Sequence, residues 1–185
     1  LGEDQNLYQE QMAAVLKELE LKQPRVIHYS FVLLQEGKMS TRKGNLVLLE
    51  DFMKEALSKA SEELKKRYNK IDSKTAKAIA YGAIKFGILK VSPEKNVVFE
   101  WEHALSFEGE TGPYIQYAYA RIKSILKKAK KNNTKADLSL LKEKEEIELV
   151  KLISNFPEVA AKSTKELRPH LIAAYLYSLA QKFNE

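Results

Sequence analysis

The chain has no cysteine, a single tryptophan, only five prolines and seven glycines in 185 residues. The missing cysteine excludes disulfides, thiolate metal sites and a cysteine nucleophile, and makes a reducing compartment the simplest setting. So few glycines and prolines describe a folded, helix-favouring composition. No apolar run approaches the roughly 20 residues of a membrane span. Leu1 opens onto Gly2-Glu3-Asp4-Gln5 rather than onto the basic and apolar regions of a signal peptide. The expectation is a soluble cytoplasmic protein with no membrane partner. Because the first residue is not Met and an amphipathic segment follows at once, the chain is expected to be a fragment of something larger.

Against these absences stand 44% hydrophobic and 30% charged residues, enough apolar material for one core or two small ones and too much for a disordered tail. Lys and Arg number 31 against 25 Asp and Glu, a net charge of +6 and a pI near 9.2. That balance favours an acidic partner, of which nucleic acid is the commonest.

Along the chain, Leu7, Met12, Val15, Leu16 and Leu19 recur at mostly three- and four-residue spacings, predicting a helix over about 7–21 with one buried stripe, stopped by Pro24. The β-branched and aromatic run over 25–34 predicts a buried strand. A polar stretch follows in which Gly37 and Gly44 bracket Lys38-Met39-Ser40-Thr41-Arg42-Lys43, a basic loop. Helices are predicted over about 50–68 and over about 73–91 with Ser73 as N-cap. Gly82 and Gly87 each weaken the second of these by about 1 kcal/mol relative to alanine, which points to close packing at both. Val97 to Trp101 predicts a short strand, with Trp101 as a packing anchor. Beyond Gly112-Pro113 the pattern is helical, over about 114–131, 138–155, 158–166 and 169–184, with Pro113, Pro157 and Pro169 at tolerated first-turn positions.

The basic loop carries the sharpest chemistry. Lys38, Arg42 and Lys43 with the hydroxyls of Ser40 and Thr41 suit a grip on phosphate, although a solvated charged loop explains the same residues. There is no Gly-x-x-x-x-Gly-Lys-Ser pattern, so it is not a P-loop. Gly37-Lys38-Met39-Ser40-Thr41-Arg42-Lys43-Gly44-Asn45 resembles the Lys-Met-Ser-Lys-Ser signature loop of class I aminoacyl-tRNA synthetases, in the Lys-Met-Ser-Thr-Arg form seen among arginyl-tRNA synthetases. The stretch from Ala104-Leu105-Ser106-Phe107-Glu108-Gly109-Glu110-Thr111-Gly112-Pro113-Tyr114 to Arg121 is similar to the segment opening that family's helical anticodon-binding domain. Gly2 to Tyr8 and Pro169 to Asn184 resemble two further stretches of the family in the same order, so the likeness covers nearly the whole chain.

In the family this loop closes over ATP, with Mg2+, and stabilises the departing pyrophosphate as the arginine carboxylate attacks the α-phosphate. The resemblance therefore implies ATP- and arginine-binding roles for Gln5, Lys38, Met39 and Ser40, and catalytic roles for Lys38, Ser40, Arg42 and Lys43. Thr41 stands where the signature has its second lysine, so Arg42 or Lys43 is left to supply that charge. Tyr8 stands where the family often has histidine. None of His28, His103 and His170 lies in a His-Ile-Gly-His context, so the other half of an ATP site is absent from this sequence, and the isolated chain is expected to make no arginyl-adenylate.

On a helical wheel at about 100° per residue, Ile115, Ala118, Ile122, Ile125, Leu126 and Ala129 share a stripe expected to be buried. Ile122→Ala is accordingly expected to destabilise by about 2–4 kcal/mol. Tyr117, Arg121 and Lys128 fall on one flank, and Gln116, Lys123, Lys127 and Lys130 on the other. These cations are either plain solvation or a face that tracks tRNA phosphates. Tyr114 and Tyr117 either pack at the core edge or stack on splayed bases, and Tyr177, expected to point outward from a helix whose core stripe is Ile172, Leu176, Leu179 and Phe183, has the same two readings. Glu108 and Glu110 read as a turn at a domain junction, and His103 as a poor metal site; no metal is expected on the chain's own ligands.

The expected fold is mainly α. The end of a Rossmann-type α/β catalytic domain occupies 1–48 with the signature loop at 37–45. Stem-contact and connecting helices with a short strand occupy 49–111, and a helical-bundle anticodon-binding domain, expected to be incomplete, occupies 112–185. The implied function is part of an arginine-tRNA ligase with an arginine-specific tRNA as partner. A helical RNA-binding module without ligase activity, or an assembly module of a larger complex, are the alternatives.

Overall fold

A computed structural model describes residues 1–34, 37–38, 48–69, 72–129 and 137–185. Its elements, in chain order, are α1 (Asn6–Glu18), β1 (Val32–Leu34), β2 (Gly37–Lys38), α2 (Leu49–Tyr68), α3 (Ser73–Leu89), β3 (Val97–Phe99), α4 (Trp101–Ala104), α5 (Gly112–Ala129), α6 (Lys144–Ser154), α7 (Phe156–Glu166) and α8 (His170–Asn184), with short 3-10 turns at Glu3–Gln5 and Leu138–Leu140. The fold is mainly α, as expected, with a small sheet of order β2-β1-β3. β1 pairs antiparallel with β2 and parallel with β3. No helix among the described residues is long and apolar enough to cross a membrane.

The core lies where α2 and α3 pack together over β3 and α4. Ala56, Ala60 and Leu64 of α2 meet Ala76, Ile79, Ala80, Ala83 and Ile84 of α3, with Phe99 and Leu105 closing the cluster. The small residues let the two helices approach closely, and the aromatic rings of Phe52, Phe99 and Trp101 fill the end of the layer at centroid distances of 4.7 to 5.0 Å. Trp101 is thus a packing anchor, although it begins α4 rather than ending a strand. Both helix glycines mark close approaches. A Cβ on Gly87 would sit 3.0 Å from the Phe99 ring, and one on Gly112 would sit 2.4 Å from the carbonyl oxygen of Gly82, where α5 crosses α3.

Several local expectations shift. The cap of α3 is Asp72, one residue earlier than expected, its carboxylate accepting from the Thr75 amide at 2.9 Å. The strand expected over 25–34 is ordered as β only at Val32–Leu34. The residues before it are tied instead to the N-terminus, where Tyr29 N donates to Leu1 O and Glu3 N to Tyr29 O. The helix expected over 138–155 begins only at Lys144, because Glu143 and Glu146 form a capping box there.

The expected buried stripe of α1 is exposed. Leu7 is 67% and Leu19 61% accessible, because α1 packs on no other helix among the described residues. The chain as a whole presents 14184 Å² of accessible surface, where a compact monomer of 21.2 kDa exposes about 9,000 Å².

Candidate functional site

The first two residues of the basic loop form β2, hydrogen-bonded along β1 in the register Leu34↔Gly37 and Leu33↔Lys38. The hairpin springs from the edge of the sheet whose other edge, β3, is pinned by the aromatic cluster, so the backbone entering the loop has a rigid base. Met39, Ser40, Arg42 and Lys43 lie outside the described residues, and for Lys38 the backbone alone is described. Gln5 sits in the exposed 3-10 turn that leads into α1, its amide donating to Gly2 O at 3.0 Å.

The junction between the sheet layer and the helical bundle is locked by side chains. Thr111 is buried; its hydroxyl donates to Ser106 O at 2.6 Å and accepts from Tyr114 N at 3.2 Å, so it both closes the 106–111 turn and caps α5. Lys90, at the end of α3, donates to Glu110 O at 2.9 Å and pairs with its carboxylate at 3.6 Å. The expected turn at Glu108 and Glu110 is therefore present, with the Glu108 amide donating to Ser106 Oγ at 3.1 Å and the Glu110 carboxylate tied to Lys90. The described residues contain no cluster of three or more His, Asp or Glu side chains able to hold a metal.

In the bundle, Tyr114 packs on Tyr177 with ring centroids 5.7 Å apart, and Arg121 donates to Asn184 Oδ1 at 2.6 Å with its guanidinium over Phe183. These two pairs advance together along α5 and α8, so the helices run parallel, and α8 ends beside Arg121. Tyr177 is consequently half-buried rather than outward, and Leu176, expected in the core, is exposed. The last two turns of α5 extend past the end of α8. That is why Ile122, Ile125 and Leu126, expected to be buried, are 37%, 52% and 59% accessible. Ala129 is exposed too.

Tyr117 is exposed, as are Lys123, Lys127 and Lys128. Lys123 lies with its ammonium 5.7 Å from the Tyr119 ring. Gln116 does not face solvent with the lysines, since its amide reaches across to donate to Ala78 O at 2.9 Å on α3. α6 packs antiparallel to α8 through Tyr175 Oη donating to Leu152 O and Lys182 bridging Glu148 and Glu185, both at 2.7 Å. Glu148 is held below the usual carboxylate range by the hydrogen bond and charge of Lys182, and Lys182 is pushed up in turn.

Sequence reasoning passed over Tyr68, Tyr119 and Phe107. The signal for Tyr119 was present in the wheel arithmetic, which sets it beside Lys123. Nothing in the spacing shows that the ends of α2 and α3 would bring Tyr68 and Phe107 to it.

A small mixed sheet followed by a capped turn that launches a helical bundle carrying aromatic and cationic side chains defines a two-part protein of mainly α fold. The family models agree part by part. Residues 1–101 match the catalytic domain of class I tRNA synthetases (R), and residues 115–185 match the DALR anticodon binding domain. The chain belongs to the arginine-type class I tRNA synthetases.

Among curated relatives, the Arginine--tRNA ligase of Methanocella arvoryzae is 46% identical over 190 residues, covering 100% of this chain and 33% of that protein. That of Clostridium botulinum is 42% identical over 163 residues, covering 86% of this chain and 29% of that protein. Of solved structures, Thermus thermophilus arginyl-tRNA synthetase matches with a TM-score of 0.76 at 37% identity, over 85% of this chain and 26% of that one. The Plasmodium falciparum arginyl-tRNA synthetase matches with 0.80 at 26%, over 99% and 32%. The chain spans about a third of the length of the curated relatives it matches.

Proposed function

We propose that this chain is the part of an arginine-tRNA ligase that supplies the signature-loop half of the ATP grip and a tRNA-binding helical surface. The observation that carries the reading is the order of the two family matches on one continuous chain, catalytic part first and anticodon-binding part second. The proposed divisions are 1–48, 49–111 and 112–185, and the gap between the two matched ranges falls at the last of them.

In the parent reaction the arginine carboxylate attacks the α-phosphorus of ATP, the bond to the bridging oxygen breaks, and pyrophosphate leaves as arginyl-adenylate forms; a terminal ribose hydroxyl of the tRNA then attacks the arginyl carbonyl carbon, and AMP leaves as the ester forms. Phosphoryl transfer of this kind is mostly positioning and charge stabilisation. Lys38 and Ser40, with Arg42 or Lys43 in place of the signature's second lysine, neutralise the charge gathering on pyrophosphate. Met39 lines the nucleotide, and Gln5 orients the arginine and adenosine. Mg2+ bound with the nucleotide would supply further positive charge to the phosphates beside Lys38. On the bundle, Arg121, Lys123, Lys127 and Lys128 take phosphates, each adding roughly one unit to the salt slope, while Tyr117 and the Tyr114–Tyr177 pair face bases.

The sequence holds no His-Ile-Gly-His motif, so the isolated chain makes no arginyl-adenylate. The test is ATP–pyrophosphate exchange with arginine. The 185-residue chain stays at background, and Lys38→Ala in a full-length ligase carrying these residues loses activation with its denaturation midpoint unchanged. Exchange by the isolated chain rejects the inactivity, and a normal rate in the Lys38→Ala ligase rejects the role of Lys38.

A further inference from the structure

A groove of about 690 Å³ runs between the C-terminal turn of α2, the N-terminal turn of α3 and α5, and of the residues given an RNA-binding role above only Tyr117 lines it. Its volume lies in the usual range of about 300–1,000 Å³ for small-molecule sites. Leu64, Ile79 and Phe107 make an apolar floor, and Tyr68, Tyr117 and Tyr119 stand around it. The three rings are left open: Tyr68 is 62%, Tyr119 61% and Tyr117 47% accessible.

Cations attend the same rings. The Arg67 guanidinium lies 4.7 Å from the Phe107 centroid and the Lys123 ammonium 5.7 Å from that of Tyr119, with Lys74 on the rim. Among the described residues lining the groove the one acid, Asp72, turns its carboxylate to the Thr75 amide at the start of α3.

Exposed aromatic faces beside positive charge are what an unpaired nucleotide requires, since any base can stack on them while the cations hold its phosphate. An apolar helix of a protein partner would use the floor and make no use of Lys74 and Lys123, whereas Arg67 already has Glu63 at 3.8 Å. We propose that this groove is a stacking subsite for one unpaired nucleotide of the RNA partner, its base against Tyr68 and Tyr119 and its phosphate near Lys74 and Lys123. The inference rests on the tRNA-binding reading above and adds a second place to it, because the Tyr114–Tyr177 pair lies on the side of α5 that faces α8.

The test is a binding titration of the 185-residue chain against a transcribed arginine tRNA at several salt concentrations. The variants are Tyr68→Ala with Tyr119→Ala, Tyr68→Phe with Tyr119→Phe, and Lys127→Ala with Lys128→Ala. The alanine pair loses affinity by about tenfold or more with its salt slope unchanged, because no cation is removed. The phenylalanine pair keeps its affinity, because the rings remain. Both tyrosines are exposed, so thermal melts of these variants match the parent chain.

An unchanged affinity in the alanine pair overturns the groove proposal. If the lysine variant then still loses salt slope, RNA binding survives elsewhere on the bundle. If the parent chain binds no tRNA at low salt, the groove proposal and the tRNA-binding reading both fall. Self-association of the chain abolished by the alanine pair, with RNA affinity intact, assigns the groove to a protein and likewise overturns the proposal.

Discussion

α3 and α5 are both long helices with a clear apolar face, yet they meet different fates. α3 buries Ala76, Ile79, Ala80, Ala83, Ile84 and Phe86 along its length, because α2 lies on one side and β3 with α4 on another. α5 buries only Gly112, Pro113 and Ala118, all within its first two turns, where α3 crosses it and α8 runs alongside. Past Arg121 its aliphatic stripe continues with no residue of the end of α5 buried among the described residues. An apolar stripe reports what a helix is able to bury, and the arrangement of neighbours decides whether it does.

The largest effect belongs to the packed layer. Phe99, 4% accessible and in contact with Phe52, Trp101 and Gly87, is expected to cost about 3–5 kcal/mol when cut to alanine, read as a fall in the urea midpoint. A loss under about 1 kcal/mol, the scale of an ordinary surface change, would remove the contrast between the two helices.

The next effect sharpens the comparison within α5. Ile122, at 37% accessible, has already lost part of its transfer term, so Ile122→Ala is expected to cost about 1 kcal/mol rather than the full cost of a buried isoleucine. Leu126→Ala, further along the same stripe, is expected to fall within about 0.5 kcal/mol of the parent. Equal losses at Ile122, Leu126 and Phe99 would mean that the free end of α5 is covered in solution.

The smallest effect concerns the α6–α8 contact. Glu148 titrates below its ordinary value because Lys182 hydrogen-bonds it. Its contribution is therefore present above the unfolded carboxylate pKa of about 4.3 and is lost as pH falls through the depressed folded value. Lys182 is raised, chiefly by its hydrogen bond to Glu148, so its contribution is full below the ordinary lysine pKa and is lost only as pH rises through the raised one. Denaturation midpoints measured from neutral to acid pH should fall more steeply for the parent chain than for Glu148→Gln, and parallel curves would show that the pair contributes nothing. The side chains are only partly buried and remain screened by solvent, so the difference is small.

Much of this architecture was legible in the residues. The helices at α2, α3, α5, α7 and α8 follow from their periodicity, and Pro157 and Pro169 stand at the starts of α7 and α8. The family was legible in the signature loop and the Glu110-Thr111-Gly112-Pro113-Tyr114 stretch, since these are contiguous residues whose chemistry needs no folding to be seen. Gly82 and Gly87 announced close packing, though not that Gly112 would be the partner of the first. The boundaries of the short elements were less legible. The β1 run extends into residues that pair with the N-terminus instead, and Asp72 outcompetes Ser73 as cap because its carboxylate reaches the free amide of Thr75.

By itself the sequence determined the family, the helical composition, the basic charge and the position of the signature loop, all of which depend on local order or on totals. Only the tertiary structure decided that α5 and α8 run parallel, that Tyr177 turns inward onto Tyr114 while Tyr119 stays open, and that the ends of α2 and α3 bring Tyr68 and Phe107 into one groove with it. Those facts join residues tens of positions apart, and the direction of packing between helices is set by shape and small-residue contacts that no single stripe encodes.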